Sequence, residues 1–203
     1  MKFHHIYVGF MFLMVMISSP LEAQRGAMTT PRNIDELTQN AETIVQCNII
    51  SAIVEPHPQF KNLNTILVMV RVTQSLKGNN KNGDTFQFRQ FIWDIRDRRD
   101  AAGYMQMGEL ILFLNKNNQF GLTSPVGMGQ GRFHISRDRS GSLVATNESN
   151  NLALFQNTRS TFQRKSVRVP EKLLVRIDHA NGGPVALDDL KKLVRSLVGE
   201  QNQ

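Results

Sequence analysis

Between Asn64 and Gln74, Ile66, Val68, Val70 and Val72 occupy every second position. Side chains of an extended chain point alternately to opposite faces, so this pattern buries one face of a strand; a helix needs its apolar positions three or four residues apart. The same period governs the neighbouring segments. In the run from Thr43 to Val54, Val45, Cys47, Ile49 and Ile53 share a face, which predicts a strand from about Glu42 to Glu55, closed by Pro56-His57-Pro58. A third strand is predicted from Thr85 to Trp93. It carries Phe86 and Phe88 on one parity and Phe91 and Trp93 on the other, which implies a bulge near Gln90 or burial on both faces. Leu110 to Leu114 is continuously apolar between Gly108 and the polar Asn115 to Asn118, the pattern of a central strand covered on both sides. Shorter strands are predicted at Phe120 to Thr123, Arg132 to Ser136 and Leu143 to Thr146, the last two joined across Ser140-Gly141. Strands this frequent, separated by Gly- and Asn-rich turns, predict a mainly β fold: an antiparallel barrel, closed or partly open.

Helices are expected at the two ends of the domain. Asn33 followed by Asp35 and Glu36 is a helix start, because a capping side chain and early acids satisfy the exposed N–H groups; the helix runs to about Asn40. Near the C-terminus Leu190, Leu193, Val194, Leu197 and Val198 fall at helical spacing after Asp188 and Asp189, with Gly199 suited to the end. Lys191, Lys192 and Arg195 oppose that stripe, and the helix is expected to dock on the barrel. Asp94 to Met107 reads as a charged loop. Asn147 to Gly183 reads as a polar, basic connection with a short strand near Leu173 to Ile177. The organisation is therefore a leader at 1–23, a β-barrel at 24–146, a connecting segment at 147–183 and a C-terminal helix at 184–203.

The leader is an address. Lys2, His4 and His5 precede an apolar run from Ile6 to Ile17, Pro20 breaks it, and Ala23 offers a small residue for cleavage. Apolar regions of secretory signals span about 7–15 residues, too short to cross a bilayer. The chain is expected to be exported to the periplasm or beyond, and cleavage near Ala23 leaves no second stretch long enough to span a membrane. Cleavage removes one cation, Lys2, and one acid, Glu22, so the formal net charge stays at +7. That charge implies anionic company, whether lipid headgroups, envelope polysaccharide or another anionic polymer such as nucleic acid, or an acidic envelope protein, or it simply serves solubility. Cys47 is the only cysteine, which excludes an internal disulfide despite an oxidising destination. Its place on the apolar face predicts an inert core thiol.

No catalytic or metal signature emerges. His57, His134 and His179 are far apart and none has a partner at ligand-pair spacing. Gly127-Met-Gly-Gln-Gly131 precedes a strand instead of a helix, so it lacks the geometry of a phosphate loop; a tight crossing of two backbone segments explains it better. Asp94, Asp97 and Asp100 alternate with Arg96, Arg98 and Arg99, which neutralise any calcium-loop character. Asn147-Glu-Ser149 matches a glycosylation acceptor. The candidate ligand-binding residues are Phe86, Phe88, Arg89, Phe91, Trp93, Arg96, Arg98 and Arg99, because aromatics beside cations stack bases or sugars and hold phosphates; packing in the core is the alternative. Arg159, Arg164, Lys165 and Arg168, which meet no acid between Ser149 and Pro170, form a candidate anion-binding tail.

Four blocks occur in order: Ala41 to Val45, Val72 to Gly78 with Gly83 to Thr85 after it, Gly108 to Leu114, and Gly129 to Phe133. Together they resemble a family of uncharacterised exported bacterial proteins whose barrel is similar to the OB-like fold of netrin modules and tissue inhibitors of metalloproteases. The resemblance covers about Asn33 to Thr146 and implies an OB-like β-barrel. It implies no protease inhibition, because those inhibitors use an N-terminal cysteine and disulfides that this chain lacks. The expected function is an exported, non-catalytic binding or accessory module without a cofactor. The alternatives are nucleic-acid or other anionic-polymer binding through the aromatic-basic face, and an enzyme without a recognisable motif.

Overall fold

The computed structural model describes residues 30–92, 99–178 and 180–201. The leader, Trp93, Asp94, Arg96, Asp97, Arg98 and His179 lie outside the described residues, as do the side chains of Arg99 and Asp100. Seven antiparallel strands form one sheet. They are β1 (Thr43–Pro56), β2 (Asn64–Lys77), β3 (Thr85–Phe91), β4 (Glu109–Leu114), β5 (Arg132–Arg137), β6 (Leu143–Asn147) and β7 (Val185–Ala186), in the order β3-β2-β1-β4-β5-β6-β7. The barrel predicted from strand spacing is corrected here: the sheet is open, with β3 and β7 at opposite edges. Closure needs the first and last strands to meet, and β7 is only two residues long.

β1 and β2 form a long hairpin whose register shifts three times, between Ile44 and Val45, Gln46 and Cys47, and Ile49 and Ser51, which bends and coils it. The pairing of β2 with β3 is continuous from Thr85 to Phe91. No bulge forms at Gln90, so simple alternation sends Phe91 to the face opposite Phe86 and Phe88. Phe120 to Thr123 does not form a strand. The Asn118 Oδ1 accepts from the backbone N–H of Phe120 and Leu122 and folds this stretch into turns, leaving one bridge between Leu122 and Arg89.

Helices cover both faces of the sheet: α1 (Ile34–Asn40), α2 (Arg99–Met107), α3 (Thr158–Arg164), α4 (Glu171–Asp178) and α5 (Leu187–Gln201). Asn33 caps α1 in a reciprocal box with Glu36. Over Arg99–Met107, α2 replaces the expected charged loop, because Ala101 and Tyr104, one helical turn apart, both find apolar cover. α4 replaces the expected strand, since Leu173, Leu174 and Ile177 are spaced for one helical face and are buried together. α5 docks as expected through Leu190, Leu193, Val194 and Leu197. It continues past Gly199 to Gln201. None of the helices described is long and apolar enough to cross a membrane.

Two cores result. One lies under α1, α3, α4 and α5 and contains Ile111, Phe113 and Phe133; the other lies under α2 and contains Val45, Cys47, Val68, Phe88 and Tyr104. β4 feeds both, with Ile111 and Phe113 facing one way and Leu110 and Leu112 the other. It is the doubly covered strand that its unbroken apolar run predicts.

Candidate functional site

The sheet face under α2 ends in a cleft lined on β5 by His134, with Arg132 buried beside it. The parity that buries Phe133 and Ile135 in the first core turns Arg132 and His134 toward α2. A single turn of 3-10 helix, Met128–Gly131, delivers the chain to this point. Glycine is required at Gly131: a Cβ there would lie 2.6 Å from the Val126 carbonyl oxygen and 2.8 Å from its nitrogen. The Gly-rich run is thus the tight backbone crossing expected from its strand context. Gly129 leaves the space that the Glu148 side chain occupies.

Arg132 is 6% exposed, and its guanidinium lies 4.4 Å above the centroid of the Tyr104 ring. Tyr104 is fully buried, donates its hydroxyl to Gln90 Oε1 at 2.7 Å and meets Phe88 edge-on. Arg132 Nη2 donates to Glu148 Oε1, while its Nε has no hydrogen-bond partner among the described residues. The fork is half occupied. Arg176 shows the complete arrangement, with Nε and Nη2 on the two Asp189 oxygens at 2.9 and 2.8 Å. His134 Nδ1, two residues along the same face of β5, is likewise buried without a partner. Buried donors and acceptors are almost always satisfied, so these two neighbouring positions on one face of β5 stand out from the rest of the sheet. Beside them is a cavity of about 380 Å³, walled by Gly103, Gln106 and Met107 of α2 and by His134, Thr146 and Glu148 of the β5–β6 hairpin. That volume lies in the small-molecule range.

The residues singled out from sequence are dispersed. Phe88 is core at 6% exposure and Phe86 packs against the same cluster, so neither ring is displayed for stacking. Arg89 is held by Glu55 at 2.8 Å and donates to Thr65 Oγ1. Phe91 is exposed on the other face. In the basic tail, Arg159 bridges Asp178 and Glu171, and Lys165 bridges Asp35, acids supplied from outside the 149–170 stretch; Arg164 and Arg168 remain exposed. Asn147 is buried and its amide donates to the Gln130 carbonyl, a placement closed to glycosylation in the folded chain. Burial pushes the Cys47 thiol up to about 12, with the Glu109 charge adding to it. Among the described residues no group of three or more His, Cys, Asp and Glu is placed to hold a metal.

Arg132, His134 and Glu148 escape motif reasoning because no catalytic or metal pattern contains them. Hairpin counting would find them: Phe133 pairs with Asn147 and His134 with Thr146, so Arg132 falls opposite Glu148. Compared with protein-family models, curated proteins and solved structures, the chain matches none, and the site is read from its own residues.

Proposed function

We propose that this chain is an exported, non-catalytic binding module whose cleft holds a small ligand bearing a carboxylate or similar planar oxyanion. The half-occupied Arg132 fork carries the reading. An incoming carboxylate accepts from Nε, then from Nη2 as the Glu148 side chain, 40% exposed, swings into water. Hydrogen bonds to a charged group are worth about 1.5–3 kcal/mol each, enough for weak to moderate affinity once the apolar wall contributes. His134 Nδ1 supplies the second polar contact. The cleft's groups bind and orient; the one thiol is buried and protonated, so Cys47 lends no support to a catalytic reading. Export rests on the Met1 to Ala23 pattern. Polymer binding along β3 draws less support, because Phe86 and Phe88 are packed and Arg89 is paired.

The test uses benzoate and succinate as probes, titrated by calorimetry at low salt. Binding to the unaltered protein, loss in Arg132→Met and tighter binding in Glu148→Gln, which removes the competing carboxylate, are the expected results. Failure of Glu148→Gln to gain affinity for either probe would overturn the proposal.

A further inference from the structure

At the far end of the long hairpin, away from the cleft, two loops carry an aromatic pair held in the open. His57, 4% exposed, organises it. Its Nδ1 accepts from the backbone N–H of Gln59 and of Phe60, each at 3.2 Å, which places the ring proton on Nε2; that atom donates to the Phe120 carbonyl at 3.0 Å. One imidazole thereby staples the loop after β1 to the loop after β4. The rings of Phe60 and Phe120 meet edge to face at 5.3 Å, yet each remains 43% exposed. Single exposed apolar residues need no explanation, but two rings from different loops, fixed against each other at the surface, form a built feature.

Within the two loops themselves the charges have one sign. Lys61 and Lys116 are exposed in the same two loops, and neither 56–64 nor 115–124 contains an acid. The adjoining Glu55 is already paired with Arg89. Apolar rings in loops whose lysines have no ion-pair partner among the described residues are complementary to a surface whose outer layer is negative and whose interior is hydrocarbon. We propose that this aromatic knuckle docks the protein on an anionic lipid bilayer, with Phe60 and Phe120 entering the headgroup layer and Lys61 and Lys116 against lipid phosphates. The docking does not depend on the cleft or on its ligand.

The test is the full chain carrying Phe60→Trp, compared with the unaltered chain, whose only indole is Trp93. Vesicles of phosphatidylcholine, pure or containing one part in four phosphatidylglycerol, are prepared with brominated acyl chains that quench a nearby indole. Because Trp93 and the N-terminal apolar run are common to both chains, only the excess quenching over the unaltered chain reports on position 60. Extra quenching in Phe60→Trp on the mixed vesicles and little on the pure ones is expected. Adding Lys61→Gln and Lys116→Gln should lower the affinity read from that quenching roughly fivefold per lysine. No excess quenching over the unaltered chain, or equal quenching on both lipids, would overturn the proposal. So would light scattering that shows a dimer disrupted by Phe60→Ser without vesicle binding, since a second copy would then be the occupant.

Discussion

The Arg132–Glu148 pair makes a sharp test because its two members are unequally buried: the arginine side chain is 7% exposed and the glutamate 40%. Removing Glu148 strands a guanidinium over Tyr104 with neither of its outward donors satisfied. Losing one partner of a fully buried pair costs about 3–5 kcal/mol; water entering from the cleft lowers this, and we expect about 2–3 kcal/mol for Glu148→Ala. Removing the arginine is gentler. Glu148 rehydrates where it stands, and a methionine at 132 keeps a flexible apolar stem on the Tyr104 ring with a favourable sulfur–aromatic contact, so Arg132→Met should cost at most about 1.5 kcal/mol. The double variant should resemble Arg132→Met alone, because no charge is left stranded. Urea denaturation of the four proteins at neutral pH, with equal m-values confirming that the same surface is exposed, gives the cycle directly. If Arg132→Met proves as damaging as Glu148→Ala, the burial asymmetry does not govern the pair and the half-occupied fork is a misreading.

The remaining expectations concern the two cores and the crossing that joins strand to cleft. Leu193→Ala should destabilise by about 2–5 kcal/mol in the same denaturation assay, since the residue is fully buried between α5 and the sheet. Gly131→Ala should cost at least about 1–3 kcal/mol, because the added methyl meets backbone atoms of Val126 that no rotamer change can move. Cys47 sets an alkaline limit. Its folded pKa is raised from 9.0 to about 12, so above pH 9 the unfolded chain binds fewer protons than the folded one and stability falls as pH rises toward 12. Cys47→Ala should remove that decline, up to about 1.4 kcal/mol per pH unit, which stability curves at pH 8 and pH 10.5 would show. Below pH 9 the native thiol should resist iodoacetamide until urea exposes it.

What could be read from sequence was what one local pattern determines. Ile66 to Val72 specify a strand face, Leu110 to Leu114 a strand covered twice, and Asn33 with Glu36 a helix start; each appears where its pattern places it. The failures have long-range causes. Tyr104 makes a helix of a charged segment only because Phe88 and Arg132 wait to cover its ring. Leu173 to Ile177 is too short for its period to separate helix from strand without the neighbouring core. Closure of the sheet depended on β7, a two-residue strand beside the α5 start that leaves no apolar alternation to detect. The cleft was hidden for a similar reason. Arg132 and Glu148 are sixteen positions apart, and only the β5–β6 register makes them neighbours.

β4 is a shared wall, and that has a consequence for how the molecule comes apart. Two compartments resting on separate sheets could melt in sequence, the smaller one first. Here Leu110 and Leu112 cannot leave their compartment without dragging Ile111 and Phe113 out of theirs, since one backbone carries all four. Calorimetry should therefore record a single endotherm, and the β4 amides should be the last to take up deuterium, opening only when the whole structure does.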